Sequence, residues 1–138
     1  MRIEVTRDIA TCQALRRTVF IEEQAVSEAD EVDGLDEAAT HLLACDKDGP
    51  VGTARILLIG NVGKIGRVCV LAPARGTGLG AALIRAALEE LRRLPGATLA
   101  TLGAQSRATG FYEKLGFTVE GEEFIDAGIP HRHMHRAL

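Results

Sequence analysis

Two stretches of the chain have the hydrophobic spacing of an amphipathic helix. The first follows a short opening strand, and Thr6 or Asp8 is available to cap its start. The second ends at Pro95-Gly96, a pair that stops a helix. The apolar positions are Ile9, Cys12, Leu15, Val19 and Phe20 in the first, and Leu79, Leu83, Ala86, Ala87, Leu91 and Leu94 in the second.

Shorter apolar runs predict strands on either side of the second helix. The runs at 41–45 and 51–59 are joined by a turn-forming segment and therefore predict an antiparallel hairpin, followed by a turn at 61–63. The remaining predicted elements are strands at 64–71, 97–102, 117–119 and 132–137 and a short helix at 107–115. This order predicts a mixed α/β (α+β) fold with antiparallel hairpins before the helical crossovers.

Length and composition favour one globular domain over residues 1–138. Apolar residues make up 46% of the chain, and no linker or repeat divides it. The net charge of -3 gives no general attraction for nucleic acid. No apolar run is long enough for a membrane span, and the three cysteines lack metal-ligand spacing, so we expect reduced thiols and a cytoplasmic location. The sequence leaves the oligomeric state open, with a homodimer among the alternatives.

Glycines are concentrated at the junction between the strand at 64–71 and the second helix. Gly76, Gly78 and Gly80 let the backbone turn and expose N–H groups at a helix start, where an anion can bind. Their spacing matches neither a dinucleotide fingerprint nor a triphosphate-binding loop. A tight turn that only packs the helix on the sheet is the alternative interpretation.

A second motif downstream makes the glycine-rich junction more specific. Arg75-x-x-Gly78-x-Gly80, combined with FYEKLGF at 111–117, resembles the GNAT N-acetyltransferase superfamily. A wider pattern spans nearly the whole chain and resembles the ElaA-like branch. That pattern comprises Val19-Phe20, Glu23-Gln24, Asp33 ahead of His41, the segment 64–70, Ala104-Gln105 and Ile129-Pro130-His131.

The resemblance implies a fold and a cofactor site. The strand at 64–71 would splay from the strand at 97–102, and the pantetheine of acetyl-CoA would lie in the gap. Val68 and Val70 would offer backbone groups to the pantetheine, and Gln105, where many relatives carry Asn, would face the cofactor. No metal is implied. The residues that would wrap the pyrophosphate are Arg75, Gly76, Thr77, Gly78, Leu79 and Gly80.

Acetyl transfer to an amine also needs catalytic groups. An alkylamine costs about 4 kcal/mol to deprotonate near neutral pH, so a general base is the largest requirement. The resemblance assigns Tyr112, the only tyrosine, to the departing thiolate as acid or stabiliser. The base stays open among Glu22, Glu23, Asp33 and His41, although each has an ordinary structural explanation.

Two further patterns bear on partners. The segment 22–37 holds eight acidic residues without a Lys or Arg, and we interpret it as a solvated loop rather than a site for a cationic amine. His131, His133 and His135 alternate on the last strand, which places three imidazoles on one face. We expect no metal there.

The sequence therefore predicts acetyl transfer from acetyl-CoA to an amine of a small molecule or peptide. Two alternatives remain open: a non-catalytic acyl-CoA binding or sensing module, and an interaction domain that uses the basic C-terminal segment.

Overall fold

One seven-stranded sheet runs through the protein, for which a computed structural model describes residues 1–138. Its strands are β1 (Arg2–Thr6), β2 (Thr40–Asp46), β3 (Gly49–Ile59), β4 (Val62–Val70), β5 (Leu99–Gln105), β6 (Thr118–Asp126) and β7 (Ile129–Ala137). They are ordered β1-β2-β3-β4-β5-β7-β6, and every neighbouring pair is antiparallel except β4 and β5. The mixed fold class that we predicted is confirmed.

Four α-helices and several short irregular helices connect the strands. The α-helices are α1 (Ile9–Arg16), α2 (Glu28–Glu31), α3 (Leu79–Arg93) and α4 (Thr109–Glu113). The π-helix Arg17–Glu23 continues α1, and 3-10 turns occupy Asp36–Ala38, Ala72–Ala74 and Ser106–Ala108. None of the helices has the length and apolar character needed to cross a membrane.

The two faces of the sheet carry different helices. The larger core lies under α3, where apolar side chains of the helix pack on β2, β3, β4 and β5. A smaller cluster lies on the opposite face, where Cys12, Leu15 and Val19 contact Leu43 and Cys69. Alternating side chains of β2 supply both clusters, because successive residues of a strand point to opposite faces.

Local signals located these elements, although many of their boundaries differ by a few residues, as at β5, predicted at 97–102 and observed at Leu99–Gln105. Asp8 caps α1 by accepting the N–H of Thr11 at 3.1 Å, as one of the two predicted alternatives. The turn predicted at 61–63 is wrong at Val62 and Gly63, which both lie in β4. An added Cβ at Gly63 would collide with Leu91. The last two strands are longer than predicted, since β6 reaches Asp126 and β7 begins at Ile129.

Candidate active site

A cavity opens where the sheet divides between β4 and β5. The two strands pair only through three parallel residue pairs, Val62–Lys64 with Leu99–Thr101. Beyond them both strands line a cavity of about 800 Å³, and ligand pockets span about 300–1,000 Å³. The splayed pair implied by the resemblance is therefore present. The residues facing the gap are Ile65, Gly66, Arg67 and Val68 from β4 and Leu102, Gly103 and Gln105 from β5.

A β-bulge interrupts the β4 wall of this cavity. Thr53 pairs with Cys69 and Arg55 pairs with Gly66, so β4 contains one more residue than β3 over this stretch. Arg67 takes a φ of 51° at the bulge. A bulge leaves a residue outside the regular ladder and redirects the backbone. No residue type signals this bulge, because arginine has no preference for a positive φ.

The glycine-rich junction leaves a row of backbone donors without acceptors. No N–H group from Gly76 to Ala81 has a hydrogen-bond acceptor within the protein, and the first paired amide is that of Ala82, which donates to the Gly78 carbonyl at 3.0 Å. Gly76 and Gly78 have φ values of 78° and 82°, which residues other than glycine rarely adopt. These N–H groups are available to a bound anion, and the anion site itself stays a prediction.

Arg75, which precedes these glycines, is bound by two partners. Its Nε donates to the Val70 carbonyl at 3.0 Å, and its guanidinium contacts the Glu23 carboxylate at 2.8 Å. This pair fastens the end of the π-helix to the start of the loop. The structure therefore engages Glu23, one of our predicted bases, in an ion pair with Arg75, and Glu22 lines neither cavity.

A second cavity of about 960 Å³ adjoins the first and contains Arg75 and Val70 in its wall. The two cavities share five residues, Gln24, Val68, Gln105, Arg107 and Ile129. Gln105 donates its side-chain N–H to the Gln24 side-chain oxygen at 3.0 Å, which bridges β5 and the π-helix. Four residues predicted for the cofactor, Val68, Val70, Arg75 and Gln105, are thus gathered here, whereas residues 76–80 line neither cavity.

Tyr112 lies on α4 and reaches the first cavity from the face that carries α3. Its ring makes edge contacts with Phe111 and Phe117, with centroids 5.0 and 6.1 Å away. Its hydroxyl has no hydrogen-bond partner within the protein, and burial raises the pKa of Tyr112 to about 12. The phenol is therefore protonated at neutral pH and can act as a donor.

The acidic segment is only partly a solvated loop, and our interpretation is wrong for its buried carboxylates. Glu31 and Asp36 are enclosed, and both contact the fully buried Arg16. Arg16 Nε donates to Glu31 at 2.6 Å, and its two terminal nitrogens donate to both oxygens of Asp36 at 2.9 and 2.8 Å. These charges pair with arginines from outside the segment, which the composition of the segment itself does not show.

Asp33 belongs to the same network, which we call the arginine–carboxylate network. Arg55 of β3 holds both oxygens of Asp33 at 2.9 and 2.7 Å and also contacts Asp36 at 3.1 Å. Arg67, at the bulge, lies 3.3 Å from Asp33. The hydrogen bonds from Arg55 lower the pKa of Asp33 to about 2, against desolvation that raises it. Such a carboxylate is too weak a base for an alkylamine, so Asp33 is removed from the candidates.

His41 is also held away from the cavity. It is 2% exposed, and its Nε2 lies 2.8 Å from the Asp36 carbonyl, which can only accept. Nε2 therefore carries the proton, while Nδ1 is buried without a partner. His41, one of the four candidates for the base, lines neither cavity.

The three C-terminal histidines share a face but not a role. His135 lies 3.0 Å from the Glu120 carboxylate, and His133 stacks on Phe124 with ring centroids 4.2 Å apart. His131 Nδ1 lies 2.7 Å from the Ile129 carbonyl. No group of three or more His, Cys, Asp or Glu residues is arranged to hold a metal ion.

Phe124 is a cavity residue that the sequence analysis missed. It lies on β6, beyond the end that we predicted for that strand, and its ring contacts the rings of both His131 and His133. β6 is irregular between Glu120 and Phe124, where it contains two more residues than β7. This irregularity breaks the alternation that would have marked a strand.

The chain is similar in sequence to known proteins over nearly its whole length. A family model described as an acetyltransferase (GNAT) domain matches residues 7–138. YyaT of Bacillus subtilis is 43% identical over 140 residues, which cover 99% of this chain and 94% of YyaT.

Solved structures show the same similarity in three dimensions. An acyl-CoA N-acyltransferase from Pseudomonas aeruginosa has a TM-score of 0.89 and 30% identity, covering 99% of this chain and 100% of that one. Escherichia coli ElaA has a TM-score of 0.84 and 29% identity, covering 98% and 99%. The ElaA-like resemblance is therefore confirmed, and the chain belongs to the GNAT acetyltransferase family.

Proposed function

We propose that the protein transfers the acetyl group of acetyl-CoA to a primary amine of a small molecule or protein, by direct attack in a ternary complex. The observation that carries this proposal is the row of unpaired amides at 76–81, next to a cavity with walls on both strands of the divided sheet. The similar Pseudomonas aeruginosa structure is named as an acyl-CoA N-acyltransferase, which supports both the donor and the nitrogen acceptor.

The donor half of the site uses main-chain groups. The unpaired amides of Gly76, Thr77, Gly78, Leu79 and Gly80, which follow Arg75, bind the diphosphate. Several charge-assisted N–H bonds at about 1.5–3 kcal/mol each exceed what a helix dipole contributes. Val68 and Val70 offer backbone groups to the amide-bearing pantetheine. Gln105 contacts the same arm once its bond to Gln24 is exchanged for one to the ligand.

The chemistry takes place where both halves of the site meet. The amine nitrogen attacks the thioester carbonyl carbon, a C–N bond forms, the C–S bond breaks, and the coenzyme leaves as a thiolate. Full proton transfer from a phenol of pKa about 12 to a thiolate near ~8.5 is uphill by about 5 kcal/mol. Tyr112 therefore stabilises the thiolate chiefly by donating a hydrogen bond.

Two measurements on the full chain test the proposal. Calorimetry detects coenzyme A binding, and thiol release from acetyl-CoA is followed with and without polyamines, amino sugars, aminoglycosides, amino acids and lysine peptides. We expect binding, and release that depends on one amine class. Binding without release for any amine supports the non-catalytic acyl-CoA module instead, and absence of binding to folded protein refutes both.

The expectations of a cytoplasmic location and of no nucleic-acid or membrane partner stay predictions of the sequence.

A further inference from the structure

The proposed reaction lacks one group, an acceptor for the proton that the attacking amine loses, and the following inference rests on that proposed function. The candidates that we predicted from the sequence do not supply it. Glu23 is paired with Arg75, Asp33 is held by arginines, and His41 lies outside the cavity. A base must instead lie in the cavity wall with a free lone pair.

His131 has a defined tautomer that meets this requirement. Its Nδ1 is 2.7 Å from the Ile129 carbonyl oxygen, and a carbonyl can only accept a hydrogen bond. Nδ1 must therefore carry a hydrogen. In the neutral ring the lone pair then resides on Nε2, which makes no hydrogen bond within the protein. The backbone thus fixes both the orientation of the ring and the nitrogen that can take a proton.

The position of His131 suits an acceptor-side base. It lines the first cavity and pairs across the ladder with Gln105 of β5. Met134 of the same strand belongs to the core under α3, so His131, three positions away, faces the opposite side of the sheet. Tyr112 enters the same cavity from the α3 face. A thioester in the gap would therefore have its leaving sulfur on one side and the attacking nitrogen on the other.

The other titratable groups of the cavity are less suited to the task. Glu31 is bound to Arg16, and Glu120 lies against His135. Asp30 and Asp126 are exposed carboxylates. His133 is exposed, stacks on Phe124 and has no hydrogen bond that fixes its tautomer.

We propose that His131 is the general base of the acetyl transfer and that its Nε2 accepts the proton of the attacking amine. As the C–N bond forms, the proton moves from nitrogen to Nε2, and the imidazolium keeps its Nδ1–H bond to the Ile129 carbonyl. The C–S bond then breaks, and the thiolate accepts a hydrogen bond from Tyr112. Solvent removes the proton from His131 before the next turnover.

Several charged groups surround this end of the cavity and contribute to the pH dependence of the reaction. They come from the neighbouring strands, from the 3-10 turn after β5 and from the π-helix side. These groups are Glu120, Glu123 and Asp126 on β6, His133 on β7, Arg107 in the turn, and the Glu23–Arg75 pair.

The first test needs no substrate. In histidine-labelled protein, nitrogen NMR at a pH where His131 is neutral distinguishes a protonated Nδ1 from a protonated Nε2. We expect the Nδ1–H form for His131 and the Nε2–H form for His41, whose carbonyl contact is made through the other nitrogen. An Nε2–H form at His131 overturns the proposal.

The second test uses the amine that the wild-type protein acetylates best in the panel above. His131→Ala should lower kcat by about 100-fold, within the range known for general bases, leave the coenzyme A Kd unchanged, and lose the ascending limb of the pH–rate profile. Added imidazole should restore part of the rate. His135→Ala is the matched control, because His135 shares the strand and face but lines neither cavity.

Each failure has its own signature. If the wild-type protein acetylates no amine, the proposed function fails and the base with it. If the wild-type protein turns over but His131→Ala keeps its rate and its ascending limb, acetyl transfer stands and His131 is not the base. A loss of rate without any change in pH profile or response to imidazole also overturns the assignment, since it indicates a structural role.

Discussion

Two polar regions of this protein differ in how completely their groups are paired. In the arginine–carboxylate network, the carboxylates of Glu31, Asp33 and Asp36 each contact at least one arginine. In the site, the amides at 76–81, the Tyr112 hydroxyl and the His131 Nε2 have no partner within the protein. Clustered charge alone therefore does not mark the proposed site, whose groups are instead those left unpaired.

Breaking the network should have the largest effect, and that effect should be on stability. Arg16→Leu leaves Glu31 and Asp36 without their buried partner, which we expect to lower the free energy of unfolding by about 3–5 kcal/mol. Urea denaturation measures this loss. The neighbouring Arg17→Leu is the control, because its pair with Glu28 is exposed and such pairs contribute about 0–1 kcal/mol. Equal midpoints for the two variants would contradict the distinction.

Changes in the site should instead affect turnover. Tyr112→Phe removes only the hydroxyl, so we expect kcat to fall by about 10- to 100-fold, at the lower end of acid–base effects. The coenzyme A Kd and the urea midpoint should stay near wild type, because the ring contacts with Phe111 and Phe117 are kept. Full turnover in this variant would show that the Tyr112 side chain has only a packing role and that its hydroxyl does not contribute to catalysis.

A smaller effect is expected from one glycine of the loop. Gly78→Val forces a β-branched residue into a φ of 82°, a conformation that costs roughly 1–2 kcal/mol. Relaxation of the loop should weaken coenzyme A binding by about tenfold, measured by calorimetry. Gly34→Val is the matched control, with a φ of 74° outside the site, and it should lower stability without changing the Kd. Equal coenzyme A affinities of the two variants would show that the loop amides do not contribute to binding.

The smallest expected effect is a dependence of stability on pH, which arises in the arginine–carboxylate network. The pKa of Asp33 is lowered from 3.8 to about 2, so its stabilisation is present above pH 3.8 and is lost as the pH falls through about 2. We expect Asp33→Asn to melt below wild type at neutral pH, and the gap in Tm to narrow across that acid range. A gap that is constant with pH would show that the ionisation of Asp33 does not stabilise the fold.

The sequence predicts features that depend on neighbours along the chain. The hairpin of β2 and β3, helix α3 and the glycines at its start all have local signals, and these located the loop. The gap between β4 and β5 was expected only from the family resemblance. The network could not be predicted in the same way. Arg16 and Asp36 are 20 residues apart, and Arg67 and Asp33 are 34 apart, so only the tertiary fold pairs them.

The base escaped prediction for a related reason. His131 was visible as part of an alternating triplet, but its neighbours on the same face end up against Phe124 and Glu120. What separates the three is a backbone carbonyl at Ile129 and the irregular course of β6. Neither feature can be predicted from the types of residue in the sequence.

The short contact between β4 and β5 has a mechanical consequence. Three residue pairs join the two halves of the sheet, so little hydrogen bonding resists a change in the angle between them. A ligand that spans the gap contacts both halves of the sheet and therefore restrains the angle between them. Hydrogen exchange at the amides of Val62 to Lys64 and Leu99 to Thr101 should therefore slow when the gap is filled.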